Sequence, residues 1–506
     1  MADSAVQQTL LIRADASVAM GTGHVMRCLA LAQAWQDAGG KVVFAVKHIP
    51  AFIAEKLQRE SILFFEIYAE PGTGDDSERT IVLAREAAAD WIVVDGYHFK
   101  PEYQKTLSAH GIRTLFLEDG FQEGHCWAHV ILNQNISASE SAYADREPYT
   151  RLLLGPKYCL LRREFTAWTA WQRQIPPIGR HVLITMGGSD PGNFTEKVIY
   201  ALALMDDKEI EATIVVGGSN PRAGLLEDAA RKSGKRINLR HNVTNMAELM
   251  SWADVAISAA GTTCWEMCLL ALPSLLIDVA DNQMAIAQEL DRRGCARHLG
   301  GRNNVTPEKI AENLKQLLES SEIRQAMARC CRQLVDARGA GRVVSILRGE
   351  EMHLRAAEQN DIHLLWEWAN DPQVRAVAFS PQPISWEMHE AWFDEKLTDS
   401  NCRILIAEDA QGTPIGQFRT DKRSTEDADI SISIACKFRG RGLGRMLIER
   451  GVAVNFSEGQ LMRLHAFVKP ENLASRRSFE SVGFEKLGEE CIKGLAAIHY
   501  LFVKGA

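Results

Sequence analysis

Short apolar runs, each followed by a polar or glycine-bearing turn and then a segment of helical period, recur from Thr9 to about residue 345, and this alternation most narrows the folds open to the chain. Leu10–Arg13, Lys41–Val46, Trp91–Asp95, Arg113–Glu118 and Val130–Leu132 read as parallel strands covered by helices on both faces. The polar stretch Trp171–Arg180 then breaks the pattern as an interlobe linker. A second series starts at His181, with strands near Val182–Thr185, Ala212–Val216, Ile237–Leu239, Val255–Ser258 and Ser274–Ile277 and a last helix from about Glu308 into the 340s. Two such lobes facing one another leave a cleft at the carboxyl ends of their strands, where open α/β sheets bind ligands.

The pattern changes around Leu347–Met352. The remainder of the chain reads as strand (Met352–Ala356), two helices (Ile362–Trp368 and Trp386–Lys396), three strands (Arg403–Glu408, Pro414–Asp421, Ala428–Ala435), helix (Gly442–Phe456), strand (Arg463–Val468) and helix (Leu473–Val482). A chain of 506 residues is too long for one core of ordinary size, and the expected division is into residues 1–172, 173–347 and 350–506. The expected class is α/β: two Rossmann-like lobes, then a separate α/β domain.

A formal net charge of -8 and a pI near 6.0 leave no general basic footprint for nucleic acid, although a few backbone amides suffice for a single phosphate. The 11 cysteines form no C-x-x-C pair and no cluster with histidine at zinc spacing, so neither a disulfide framework nor a metal site is expected. Cys264 and Cys268, four apart, lack His or acidic partners nearby. Asp3 stands where a signal peptide carries positive charge, and no apolar run reaches the ~18 residues of a membrane span. A reducing cytoplasm is the expected setting, with no membrane partner.

The segment Ile12-Arg-Ala-Asp-Ala-Ser-Val-Ala-Met-Gly-Thr-Gly-His-Val-Met-Arg ends a strand at Arg13, turns at Gly21 and Gly23 and opens a helix near His24. Glycines there let a ligand approach the backbone and the free first-turn amides. The helix dipole at that end favours a neutral, proton-accepting imidazole. Two readings of His24 stand on this pattern: general base, or helix cap and substrate contact.

This segment resembles, almost residue for residue, the start of the UDP-2,4-diacetamido-2,4,6-trideoxy-β-L-altropyranose hydrolases of pseudaminic acid biosynthesis. The resemblance continues through Val94-Asp-Gly-Tyr-His, Leu117-Glu-Asp-Gly, Gly155-Pro-Lys-Tyr, Met186-Gly-Gly-Ser-Asp-Pro and Ser258-Ala-Ala-Gly-Thr-Thr-Cys-Trp-Glu, across roughly the first 345 residues. It implies a GT-B-like fold with UDP mainly on the second lobe and the sugar facing the first. It also implies that His24 activates a water to attack the anomeric carbon with inversion. Gly187 and Gly188, and Gly261-Thr262-Thr263, are placed to offer amides to the diphosphate. Glu266 resembles the carboxylate that holds the nucleotide ribose. Asn282 and Gln283 are expected in the cleft, and Arg13, Asp15, Tyr97 and Asn133 on the sugar side; an ordinary loop role is the competing reading of these positions.

In the last domain, Arg439-Gly440-Arg441-Gly442-Leu443-Gly444 follows the alternating strand and opens a helix, and Asn472-Leu-Ala-Ser475-Arg-Arg-Ser-Phe479 follows the next strand. The two elements together resemble the GNAT acetyltransferases, in which the glycine loop binds coenzyme A; acetyl-CoA is the implied co-substrate and direct attack by an amine the implied reaction. Many relatives carry Tyr seven residues after the Asn; Phe479 stands there and cannot donate a proton, which leaves Tyr500, His465 or water. Cys436 reads as a packing residue. The segment Trp366-Glu-Trp-Ala-Asn-Asp-Pro-Gln-Val-Arg resembles the substrate-side opening of this GNAT subgroup, which implies that Trp368 stacks on a base and Arg375 meets a phosphate; a packed helix face is the alternative.

The pathway resemblance makes the substrates UDP-linked: the C-terminal domain would acetylate a 4-amino sugar and the N-terminal lobes release it from UDP. The alternative is a GT-B glycosyltransferase joined to a non-catalytic CoA-binding module.

Overall fold

The computed structural model describes residues 7–504 apart from 18–19, 121–123, 219, 242, 302–303, 350–351, 410–411, 441 and 459–460. The chain divides into two compact units, one ending at Val344 and the other beginning at Ser345.

The first unit holds two sheets. One contains β1 (Thr9–Ala14), β2 (Lys41–Val46), β3 (Leu63–Glu66), β4 (Trp91–Asp95), β5 (Arg113–Leu117), β6 (Val130–Asn133) and β7 (Arg151–Leu154). Its order is β3-β2-β1-β4-β5-β6-β7, parallel throughout. The other contains β8 (His181–Thr185), β9 (Glu211–Val216), β10 (Arg236–His241), β11 (Val255–Ala259), β12 (Ser274–Asp278) and β13 (Arg297–Gly301), in the parallel order β10-β9-β8-β11-β12-β13. Strand order reverses between β1 and β4 in one sheet and between β8 and β11 in the other, which places a ligand crevice at each reversal.

Helices on both faces explain why β1, β4 and β11 are buried at every position. The helix Gly23–Asp37 is itself buried along most of its length, including Val25, Cys28, Leu29, Leu31 and Trp35, so it sits as an inner element. In the second lobe Ile184, Ile214 and Ile257 pack toward one helical layer, while Leu183, Ala256 and Leu276 pack toward another.

In this unit the strands that the sequence pattern does not announce, β3, β7 and β13, all lie at sheet edges. An edge strand is only partly covered, and Leu63 and Phe65 are 65% and 48% exposed, so the continuous apolar signal is lost. The single helix expected from Glu308 into the 340s is corrected to three, Pro307–Glu319, Ser321–Leu334 and Gly339–Arg348. Ser320 leaves helical geometry and its Oγ accepts from Ile323 N, starting the second helix by capping it.

The second unit holds β14 (His353–Ala356), β15 (Cys402–Glu408), β16 (Pro414–Lys422), β17 (Asp427–Ile434), β18 (Arg463–Val468), β19 (Glu485–Ile492) and β20 (Leu495–Val503), ordered β14-β15-β16-β17-β18-β20-β19. Of these, β19 and β20 are also unannounced by the sequence pattern, and β20 is an inner strand. All neighbours are antiparallel except β17 and β18. Those two are parallel and pair only over Asp427–Asp429 and Arg463–His465. Leu405 and Ala407 point to the face covered by the helices Leu443–Glu458 and Leu473–Val482, and Ile404 and Ile406 to the face covered by Ile362–Asn370 and Trp386–Thr398. Phe418 is wholly buried, which contributes about 2–3 kcal/mol, and Gly451 lies against its ring, where any side chain would collide.

Candidate functional site

The helix that follows β1 begins at Gly23, and its N-cap Thr22 makes no side-chain capping bond, so the first-turn amides are left for a ligand. His24, 6% exposed, is held from across the strand reversal: its Nδ1 lies 2.6 Å from Oδ1 of Asp95, the last residue of β4. A carboxylate can only accept, so Nδ1 donates, and in the neutral ring Nε2 carries the lone pair. Arg27, one turn further along the helix, donates from Nε and Nη2 to the two Asp95 oxygens at 2.6 Å each and from Nη1 to Asp119. Burial drives the Asp95 carboxyl upward, but Arg27 and then His24 outweigh it and hold the carboxyl well below its usual range.

Tyr97 stands edge-on to His24 with ring centroids 4.7 Å apart. Its hydroxyl donates to Asp119 at 3.3 Å and receives Asn282 Nδ2 of the second lobe at 3.0 Å. Burial, then Asp119, pushes the Tyr97 phenol up.

On the second lobe, Gly187 has φ +78 and a Cβ on Gly188 would lie 3.7 Å from Thr22 Oγ1, so the turn after β8 faces the His24 loop. The helix Phe194–Ala203 just beyond is already supplied with an anion, because Asp190 accepts from Phe194 N at 2.8 Å and Thr195 N at 2.9 Å. An anion in the cleft is therefore left to the turn amides. Gly261, Thr262 and Thr263 form the turn after β11, beside Gln283, whose Oε1 accepts from Val279 N at 3.1 Å. Glu266, one turn into the following helix, pairs with Arg162 at 2.8 Å. His24, Tyr97, Gly187, Gly188, Gly261, Asn282 and Gln283 thus all follow strand ends at or beside the two reversals in strand order.

Other expected positions lie deeper. Arg13 is fully buried, donates to Asp76 at 2.9 Å and pairs with Asp15 at 2.8 Å. Asp15 accepts from Lys47 N at 2.6 Å and His48 N at 3.1 Å, which ties β1 to the end of β2. Asn133 donates to Tyr143 Oη at 2.8 Å and accepts from Asn135 N, so its amide is spent internally. Gly21, with φ +77, closes the loop through its amide to Ser17 O at 2.8 Å. Asp95, Arg27 and Asp119 were missed as site residues; the three-residue spacing of Arg27 from His24 on one helix face was the available signal.

In the second unit, Gly440 and Gly442 each have φ +75, the left-handed backbone that brings a loop's amides together; Arg441 lies outside the described residues. Leu443 opens the next helix, and Gly444 comes close to Ser478, so two helices meet at that first turn. Arg439 donates to Ile434 O at 2.9 Å and Asp371 Oδ1 at 2.8 Å, which positions the loop. Asn472 Oδ1 accepts from Ser475 N at 3.2 Å and caps the helix Leu473–Val482. Because β17 and β18 pair over so short a stretch, residues 430–433 have no β18 partner among the described residues, which leaves an edge where an extended arm carrying amides fits.

Trp368 is packed with Leu365, Phe393 and Ile406, and Arg375 Nη1 donates to Ser380 O at 3.0 Å. Phe479 and Tyr500 are both core residues with rings 6.2 Å apart, and the Tyr500 hydroxyl donates to Glu480 at 2.6 Å. His465 is one link of a chain: Asp427 to its Nε2 at 3.1 Å, its Nδ1 to His499 Nε2 at 2.9 Å, and His499 Nδ1 to Glu490 at 2.6 Å. All four ring nitrogens are thereby engaged.

Residues 181–341 match the glycosyltransferase family 28 C-terminal domain, and residues 351–485 match the acetyltransferase (GNAT) domain. The chain thus carries two Rossmann-like lobes, the second of which matches a family 28 C-terminal domain, followed by a mixed-sheet domain that matches GNAT. An uncharacterised protein of Methanocaldococcus jannaschii is 23% identical over 94% of this chain and 96% of its own length. The UDP-2,4-diacetamido-2,4,6-trideoxy-β-L-altropyranose hydrolase of Campylobacter jejuni is 26% identical over 56% of this chain and 97% of its own. Among solved structures, MurG of Acinetobacter baumannii aligns with a TM-score of 0.50 at 16% identity, covering 68% of this chain and 99% of that one, a likeness of fold. Among the described residues no helix is long and apolar enough to cross a membrane, and no group of three or more His, Cys, Asp or Glu is arranged to hold a metal ion.

Proposed function

We propose that the chain is a bifunctional enzyme acting on UDP-linked diacetamido sugars. The N-terminal unit hydrolyses UDP-2,4-diacetamido-2,4,6-trideoxy-β-L-altropyranose, and the C-terminal unit acetylates the 4-amino group of its UDP-linked precursor with acetyl-CoA. The observation that carries the hydrolase reading is the Asp95–His24 pair, which in the neutral ring leaves a lone pair on Nε2, at the start of a helix whose preceding Gly21–Thr22 loop faces the Gly187–Gly188 turn. In this reading Nε2 takes a proton from water, the water oxygen bonds to C1 from the face opposite the nucleotide, the C1–O bond breaks, and the diphosphate leaves onto backbone amides. The likeness to the Campylobacter jejuni hydrolase supports the substrate.

In the acetyltransferase, the Gly440–Gly444 loop receives the pyrophosphate and the open edge of β17 the pantetheine arm. The neutral amine attacks the thioester carbonyl and releases a proton to water, the C–S bond breaks, and the thiolate takes up a proton from water or a nearby group, since Phe479 offers none.

The test is incubation of the whole chain with acetyl-CoA and the UDP-4-amino sugar, following CoA, UDP and free sugar by mass. CoA release followed by UDP and free diacetamido sugar is expected, and His24→Ala should stop the second step while sparing the first. UDP release only when an acceptor sugar is added would instead make the first unit a glycosyltransferase, and CoA binding without turnover would make the second a binding module.

A further inference from the structure

Arg162 belongs to the segment that leaves the first lobe, yet its guanidinium ends on the second. Its Nη2 is 2.8 Å from Glu266 Oε1 and 2.9 Å from Glu164 Oε1, and its plane lies over the Phe165 ring at 5.2 Å. Arg162 is 8% exposed as a residue, and the Glu266 side chain retains 16%. Lys56, from the first-lobe helix Ala51–Arg59, feels the charges of Arg162, Glu164, Glu266 and Glu60, so the group holds two cations and three carboxylates. Burial pushes the Glu266 carboxyl up and Arg162 opposes it, while burial and then Arg162 push the Lys56 ammonium down.

We infer that Arg162 is a positioning residue that holds the Glu266 carboxylate in the orientation that accepts the vicinal hydroxyls of the nucleotide ribose. The inference rests on the nucleotide reading above and adds to it a residue of the segment that connects the lobes, whose neighbours Leu161 and Phe165 pack into the second-lobe core. An unrestrained glutamate has three side-chain torsions to freeze on meeting a diol, whereas one already pinned through Oε1 has fewer to freeze and still offers Oε2, and the second lone pair of Oε1, as acceptors. The pair also limits the charge imbalance. Without Arg162, the carboxylates would outnumber the one lysine beside a ligand that is itself strongly anionic.

The test compares binding of UDP and 2′-deoxy-UDP to the full-length protein by calorimetry. Wild type should prefer UDP by about tenfold, the scale of one hydrogen bond to a charged group. Arg162→Gln should weaken UDP binding about tenfold and reduce that preference to within about twofold, as should Glu266→Gln. Arg162→Lys, with a point charge in place of a forked guanidinium, should fall between the two and serves as the deciding variant if Arg162→Gln melts early. A general loss of structure would weaken both nucleotides alike and leave their ratio unchanged, so an unchanged ratio in the Arg162 variants overturns the inference. Wild type that binds no UDP overturns the nucleotide reading itself, and the inference with it.

Discussion

His24 Nδ1 lies 2.6 Å from Asp95 Oδ1, a contact that joins the helix after β1 to the last residue of β4. The pair orients the ring and selects its tautomer, a task a neutral amide performs poorly because its N–H can face Nδ1 instead. Asp95→Asn should lower kcat for UDP release by roughly a hundredfold or more while KM stays within about threefold. Steady-state kinetics that leave kcat untouched would remove Asp95 from the mechanism.

Arg27 is the counter-charge of a carboxylate with no exposed surface. Arg27→Met should therefore destabilise the first unit by about 3–5 kcal/mol, read from denaturant unfolding. Since Asp95 is held below its ordinary range, the folded state binds fewer protons than the unfolded one. Its stabilisation is fully present above about pH 4 and disappears as the pH falls from there through the folded value, so the stability gap between wild type and Asp95→Asn should narrow in acid.

Glu118, at the end of β5, titrates the other way: burial, then Asp119 and Asp95, push its carboxyl up to about 8. The folded state keeps the proton longer, so this group's contribution is complete below about pH 4.3 and is lost as pH rises through about 8. Glu118→Gln, which keeps the neutral shape, should gain on the order of 2 kcal/mol relative to wild type between about pH 5 and about pH 9. Melting curves at those two pH values with identical offsets would contradict this.

Gly217 packs against the carbonyls of Gly187 and Gly188, where a methyl group would press on backbone. Gly217→Ala should displace that turn and raise the KM for the UDP-sugar about tenfold, with acetyl transfer unaffected. Equal KM values would detach the turn from diphosphate binding.

Gly442, with φ +75, sits in the left-handed region that costs an L-residue about 1–2 kcal/mol. Gly442→Ala should raise the KM for acetyl-CoA roughly tenfold and leave UDP release alone. A change in the hydrolase half instead would sink the assignment of this loop to CoA.

Among the residues expected in the cleft, those beside strand ends were legible, because a glycine or a polar residue after an apolar run marks a turn wherever it occurs. His24, Tyr97, Gly187 and Gly261 are expected in the cleft on this signal, and the structure places them after strand ends. Arg13 and Asn133 share the same local signal yet have buried side chains, since which way a side chain turns at a strand end depends on neighbours such as Asp76 and Tyr143. Trp368 likewise reads as amphipathic in either role, and only Phe393 and Ile406 packed against it give it a core position.

The sequence by itself determined the run of strands, turns and helices, the change of architecture near residue 347 and the two glycine loops, because periodicity and turn chemistry act over a few residues. Only the tertiary structure decided that His24 meets Asp95, 71 residues away, and that Arg162 meets Glu266, 104 residues away. Contacts of that span follow from strand order and lobe packing, and the physical reason they escape a linear reading is that a carboxylate at a strand end looks the same whether it faces water, an imidazole or a guanidinium.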